Sequence, residues 1–196
     1  MDPQDLDVPE ELRTERLLLR VGRPGDGPAL QDAIETSLPD LFPWVPFSGR
    51  PCDPETMEAV SRDAQEKFAA GEYFVWRVWE PGGGLLIGTI DLHAIDWSVP
   101  CCEIGYWMRS SHAGRGLAAE AVRAVVRCAR EALGMLRIEA RCDPRNERSW
   151  RLVERLGFAL EGVARHDDRD AAGDLCSTRV YALTWDEDGA GSPGTP

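Results

Sequence analysis

Between Cys102 and Cys142 the hydrophobic pattern changes period twice. The run CEIGYWM (102–108) alternates as a strand, and Gly114-Arg115-Gly116 makes a turn. Ala118, Val122, Val125, Val126, Ala129 and Leu133 then recur at helical spacing until Gly134 stops them. RIEARC (137–142) alternates again, with Ile138, Ala140 and Cys142 on one side. Strand, helix, strand over this distance is a βαβ unit, with a right-handed crossover and a parallel strand pair.

The flanking segments read as hairpins and short helices. TERLLLRV (14–21) has the content of a strand, and Asp26 is placed to cap a helix over 27–37 with Leu30, Ile34 and Leu38 on one face. LFPWVPFSGRP (41–51) holds three prolines among aromatic residues, which bars a regular helix or a central strand and suits a lid or a pocket lining. Asp53-Pro54 starts a helix whose face is Met57, Val60, Ala64 and Phe68, stopped at Gly71. YFVWRVWE (73–80) and Leu85 to His93 form a hairpin across Pro81-Gly82-Gly83-Gly84, and 102–108 runs antiparallel to its second strand. A short helix over 146–156 ends at Gly157, and 158–163 with 175–185 make a last hairpin around a long charged loop. The expected fold class is α/β (α+β): a mixed, mostly antiparallel twisted sheet flanked by helices, with one parallel pair.

A chain of 196 residues suits one core. The expected organisation is a flexible acidic lead over 1–12, a single domain over 13–185 and a disordered tail over 186–196. A net charge of −12 argues against the basic face that sequence-independent nucleic-acid binding needs. Apolar runs such as Leu85-Leu86-Ile87 fall far short of the roughly 20 residues a membrane helix needs. The start MDPQDLDVPEE has no apolar signal region, so a cytoplasmic location is expected. Six Cys without a CxxC pair and three scattered His give neither a disulfide framework nor a metal motif. They read as thiols in a reducing compartment, with no metal.

The segment Ser111 to Ala118 lies where a strand hands over to a helix. Free backbone N–H groups and the positive end of the helix dipole suit such a place to phosphate. The plain alternative is a tight turn with no ligand. A dinucleotide GxGxxG would need Gly at 119, where Ala stands, and no GK[ST] exists for a Walker A loop.

Three runs in order, EIGYWM (103–108), GRGLAAEAV (114–122) and NERSWRLVERLGF (146–158), are accompanied by RLLLR (16–20), FPW (42–44) and VYAL (180–183). Together they resemble the Gcn5-related N-acetyltransferase (GNAT) superfamily, and within it the RimJ/RimL-like branch of ribosomal-protein N-terminal acetyltransferases. The resemblance covers about 14–185. It implies acetyl-CoA as co-substrate. By that resemblance Tyr106, Trp107 and Met108 lie along the pantetheine arm through backbone groups. The amides of Ala113, Gly114, Arg115, Gly116, Leu117 and Ala118 would hold the pyrophosphate, Asn146 the pantetheine, and Ser149 would sit by the thioester sulfur. Two positions depart from the family. Ser111 stands where it usually has Gln or Arg, which removes a side chain but no amide. Val153 stands where it often has Tyr, so a tyrosine general acid is missing from that spot.

Acetylating an amine needs a neutral nitrogen, a stabilised oxyanion and a protonated leaving thiolate. Parallel strands that splay apart would free main-chain N–H groups for the carbonyl. Glu103, on the strand beside the thioester, is the first candidate base; its plain reading is a solvated carboxylate. Asp91 and His93 on the preceding strand are lesser candidates. Ser149 is the candidate donor to the thiolate, or simply a residue of the first helical turn after an Asn cap. Trp44 and Phe47 line an acceptor pocket or pack in the core. The expected activity is acetyl-CoA-dependent N-acetyl transfer to a primary amine, foremost a protein N-terminal α-amine. The alternatives are a small-molecule amine (aminoglycoside, polyamine or aminoacyl compound), a non-catalytic acyl-CoA-binding module, and a nucleotide-binding protein using the glycine turn. A homodimer and a longer acyl donor stay open.

Overall fold

In the computed structural model of the protein, residues 7–44, 53–170 and 172–186 are described. Eight strands form one sheet: β1 (Glu11–Arg13), β2 (Leu18–Arg20), β3 (Phe74–Trp79), β4 (Leu86–Asp96), β5 (Cys101–Met108), β6 (Arg137–Cys142), β7 (Ala159–Arg169) and β8 (Leu175–Thr184). Their spatial order is β1-β2-β3-β4-β5-β6-β8-β7. Every neighbouring pair is antiparallel except β5 and β6, the two strands of the βαβ unit. The mixed, mostly antiparallel sheet with one parallel pair is therefore as the sequence pattern expects.

Among the described residues five helices flank it: α1 (Gly27–Glu35), α2 (Leu38–Leu41), α3 (Pro54–Ala69), α4 (Leu117–Glu131) and α5 (Glu147–Arg155). Helix α4 buries Leu117, Ala121, Val122, Val125, Cys128 and Ala129 in the main core with Ile90, Ile104, Ile138 and Tyr181 from the sheet. Phe68 of α3 meets Phe74 and Trp76 edge-on at 5.1 and 5.3 Å between ring centres, a geometry worth about 0.5–1.5 kcal/mol per pair beyond area burial. A second cluster joins Leu30 and Ile34 of α1 to Trp79, Leu86 and Trp107. The residues of β5 thus divide by parity: Cys102 and Ile104 in the main core, Trp107 in the second.

Several local expectations change. Pro39 enters at the start of α2 and separates it from α1, which turns Leu38 out to solvent instead of continuing the Leu30–Ile34 face. In α3 the buried face is Met57, Ser61, Ala64 and Phe68; Val60 is exposed, and Ser61 is accommodated because its hydroxyl donates to the Met57 carbonyl. Asp53 caps α3 through the Thr56 amide as its sequence suggests. Asp26 makes no cap bond at α1; its carboxylate takes both Arg20 Nη atoms, at 2.7 and 2.8 Å. Burial works to raise the Asp26 pKa, but the Arg20 bond, the Arg23 amide and the nearby Arg77 outweigh it and hold the group below the ordinary carboxylate range.

The segment 14–21 gives only the short β2, because the bonds of Thr14 to Leu17 close a turn back to β1. Glu11 and Leu12, at the end of the acidic lead, pair in β1. The charged stretch after Val163 is mostly strand, since β7 runs on to Arg169 and only residues 170–174 separate it from β8. Residues 1–6 and 187–196 lie outside the described residues, as does Phe47. Among the described residues no helix is long and apolar enough to cross a membrane.

Candidate functional site

The site is built where β5 loses its neighbour. Pairing of β5 with β6 covers Cys101↔Arg137, Cys102↔Ile138 and Glu103↔Glu139, and stops there. From Ile104 to Met108, β5 stays paired with β4 on one side and, among the described residues, faces no strand on the other. Strand β6 turns away to follow β8 as far as Cys142↔Arg179. A wedge opens between them, edged by backbone polar groups that need a partner.

The glycine turn stands at the far end of that open edge. Gly114 and Gly116 have φ of 74° and 77°, the left-handed conformation that glycine adopts without steric cost. Helix α4 begins at Leu117, so its first N–H groups have no intrahelical acceptors and can take an anion. The Ala113 amide is not among the free donors, because it donates to the Ser110 carbonyl at 3.2 Å. Arg16 braces the turn: Nη1 donates to the Arg115 carbonyl, while Nε and the backbone amide reach the Glu120 carboxylate. Ser111, at the departure from the family pattern, is bonded to His112 Nδ1 at 2.9 Å, and His112 Nε2 lies 3.1 Å from Glu80. Those side chains hold the loop.

Across the wedge stands the start of α5. Asn146 Oδ1 accepts the Ser149 amide at 3.2 Å, so Asn146 is the N-cap. Ser149 Oγ is 3.0 Å from Tyr106 Oη, which also donates to the Ser149 carbonyl at 3.2 Å. Burial pushes the Tyr106 phenol up to about 12, against the opposing pull of the Ser149 bond. The same burial pushes the neighbouring Cys142 thiol up to about 11. Tyr106 therefore reaches across the wedge with its side chain, a contact that a sequence separation of 43 residues hides. Trp107 is buried on the opposite face, and Met108 packs where Gly88 has no Cβ to obstruct its sulfur.

On that opposite face three sequence candidates come together. His93 Nδ1 is 2.8 Å from Asp91 Oδ1, and His93 Nε2 is 3.4 Å from Glu103 Oε1. The Asp91 bond, then the Glu103 bond, outweigh burial and raise the His93 pKa to about 10, so the ring is an imidazolium at neutral pH. A folded pKa above the unfolded value of about 6.5 means that this stabilisation is complete below about pH 6.5 and is lost as pH rises through about 10. Register places Asp91 opposite Gly105 and His93 opposite Glu103. A Cβ on Gly105 would come within 3.0 Å of both Asp91 oxygens. Ala94, next to His93, has φ of 49° at a bulge where the β4–β5 register shifts, a device that re-aims side chains. Beneath lies Arg77, 4% exposed, donating to Thr89 Oγ1 at 3.2 Å and leaving Nε without a partner.

Trp44 is 38% exposed and forms, with Phe42, Pro43, Arg145, Asp170 and Ala172, a cleft of about 200 Å³. It lies on the surface and not in the core. Among the described residues no group of His, Cys, Asp and Glu is placed to hold a metal. Sequence reading missed Arg77 and the Arg16–Glu120 brace, whose partners are distant in the chain and carry no local signal.

Residues 16–159 match the family model of the acetyltransferase (GNAT) domain. The probable N-acetyltransferase YjcK of Bacillus subtilis is 38% identical over 102 residues, 52% of this chain and 56% of that protein, so this match spans little more than half of that relative. The ribosomal protein uS5-alanine N-acetyltransferase of Escherichia coli is 30% identical over 156 residues, 79% of this chain and 80% of that one. A RimL ribosomal-protein α-N-acetyltransferase solved with coenzyme A superimposes with a TM-score of 0.81 at 19% identity, over 90% of this chain and 97% of that one.

Proposed function

The chain belongs to the GNAT acetyltransferase family, and from that premise we propose that it moves the acetyl group of acetyl-CoA to the α-amine of a protein N-terminus. One observation carries the cofactor half of the proposal. A left-handed glycine turn at a helix N-terminus and an unpaired strand edge lie in series, an anion site followed by a line of backbone partners. That sequence of groups suits a pyrophosphate followed by an amide-bearing arm. The acceptor half is supported by the relative that acts on a ribosomal-protein alanine.

The amides of Gly114 to Ala118 take the pyrophosphate, and the open edge of Tyr106 to Met108 pairs with the pantetheine amides. Backbone N–H groups at the mouth of the wedge polarise the thioester carbonyl and receive the oxyanion. Glu103 takes a proton from the amine. Ser149, its hydroxyl held by Tyr106 at 3.0 Å, donates to the thiolate as it leaves. The cleft lined by Trp44 and Phe42 is the entrance for the acceptor chain.

A thermal-shift titration tests the cofactor. Coenzyme A at a hundredfold excess over its dissociation constant adds about 2.7 kcal/mol, which for a chain of this size raises the melting temperature by roughly 5–10 °C. NAD and ATP are expected to leave it unmoved. A shift with NAD or ATP and none with coenzyme A would overturn the assignment. Acetyl-CoA consumption across Ala- and Ser-led peptides, a polyamine and an aminoglycoside then tests the acceptor, with the peptides expected to turn over fastest.

A further inference from the structure

We propose that Asp91, His93 and Glu103 form a charge-exchange site for the acceptor, in which the incoming ammonium replaces the His93 imidazolium as counter-ion of the two carboxylates and drives the ring's proton into solvent. This rests on the acetyltransferase reading above and deepens it, since it states the charge form in which the amine arrives.

The geometry supplies each part. The ring bridges both carboxylates, at 2.8 and 3.4 Å, so one imidazolium neutralises two anionic groups incompletely. The His93 side chain is 39% exposed, against 17% for Asp91 and 23% for Glu103. The carboxylates are thus partly shielded while the ring keeps a path to water. The cluster sits at Glu103, the last residue of the parallel pairing, at the point where the wedge begins. Beside it Gly105 carries no side chain, and the Asp91 carboxylate lies over the space a Cβ would take.

The charges around the ring favour the exchange. Just before β3 the Tyr73 phenol stays neutral, its pKa raised by burial and by Asp91, and from β3 the Arg77 guanidinium lies buried below. From β6, Glu139 next to Glu103 is occupied by Arg137, which holds it at 2.6 Å and also binds Glu161. From β4 itself there is Asp91. Two carboxylates and one imidazolium leave a net charge of −1 on Asp91, His93 and Glu103 together, before the Arg77 guanidinium below them is counted. A second cation in the same shielded place competes with the first for the same oxygens, and the ring is the one that can give up a proton.

The protons balance. The ammonium docks on Glu103 and Asp91, and His93 releases its Nε2 proton to water. The neutral ring then takes one proton from the bound ammonium through Glu103, which restores the imidazolium and leaves a neutral amine. The nitrogen attacks the thioester carbon, the C–N bond forms and the C–S bond breaks, and a second amine proton replaces the one delivered to sulfur. Of three ammonium protons, one is matched by release to solvent, one ends on the thiol and one stays on the amide. A zwitterionic amino acid, with a carboxylate beside its ammonium, is repelled by the same site, whereas a peptide N-terminus is not.

The test reads the ring directly. Protein labelled in its histidines is titrated by NMR from pH 6 to 11, with the His93 resonance identified through His93→Gln. Methylammonium chloride, a fixed cation over most of this range, is compared with sodium chloride at equal ionic strength. The His93 midpoint is expected to fall by one pH unit or more with methylammonium and to stay put with sodium. Equal midpoints in the two salts would overturn the proposal. A kinetic split gives a second readout: His93→Gln should lower kcat tenfold or more while KM for an Ala-led peptide stays level or falls, because two carboxylates then face the ammonium alone. A raised KM with unchanged kcat would show a merely structural ring. Failure of the acetyltransferase reading looks different, as absent acetyl-CoA turnover with every amine whatever His93 does.

Discussion

Gly116→Glu is expected to abolish coenzyme A binding, by at least a hundredfold in affinity, while the protein still folds. The backbone at Gly116 is left-handed, φ 77°. A side chain there costs roughly 1–2 kcal/mol, which a stable domain tolerates. Space is not the obstacle, since an added Cβ would rest 3.6 Å from Arg16 Nη2, an ordinary contact. Charge is the obstacle. A carboxylate at the head of α4 is attracted to the same N–H groups and dipole end that would receive phosphate, so it occupies the anion site and repels the ligand. Gly116→Ala, which adds the strain without the charge, should retain part of the affinity. Calorimetric titration with coenzyme A, alongside circular dichroism of both variants, makes the comparison. Wild-type affinity in the Glu variant would reduce the turn to a structural role.

Glu103→Gln is expected to cut turnover with an Ala-led peptide by about 10²–10⁴-fold, the range for loss of a general base. Binding of acetyl-CoA should hardly change, because Glu103 lies at the closed end of the wedge and away from the glycine turn. Raising the pH should recover part of the rate. A peptide α-amine has a pKa of about 8 and a lysine side chain about 10.4, so a larger share of the former arrives neutral as the solution becomes more alkaline. The same substitution removes one of the two bonds that raise the His93 pKa, so the ring's titration should move down toward its ordinary value. Rate against pH for both proteins, with one good acceptor, measures the two effects together. An unaltered rate at pH 7 would pass the role to Asp91, His93 or water.

The parallel pair, the glycine turn and the helix behind it were legible in the sequence because they are local: a period of two, then of 3.6, with glycine at both changes. So was the Asn146 cap, which needs only the amide three residues on. Asp26 misled because a carboxylate before a helix is equally an ion-pair partner, and Arg20 lay within reach. Val60 misled because an apolar residue and a buried one are different things; the helical face is set by the whole α3 surface, and Ser61 enters it by donating its hydroxyl to the Met57 carbonyl. Asp91, His93 and Glu103 each drew notice alone. Their meeting depends on the β4–β5 register and the bulge at Ala94, which pattern does not specify. The bond between Tyr106 and Ser149 was out of reach for the same reason. It joins two elements only after α4 has carried the chain across the sheet.

Because β5 and β6 share only three register pairs, the sheet is less a continuous fabric than two panels on a short hinge. One panel is β1 to β5 with α1 and α3; the other is β6, β8 and β7 with α5. Besides the hinge they are joined by the apolar face of α4, which buries residues of both in one core, and by the bonds of Tyr106 to Ser149 across the wedge. Panels joined in this way open as cooperative units with their own free energies. Amides of β7 and β8 should therefore exchange with deuterium as a group, separately from those of β3 and β4. A ligand that bridges the wedge would bring the two rates together, so its occupancy would set how far this protein behaves as one body.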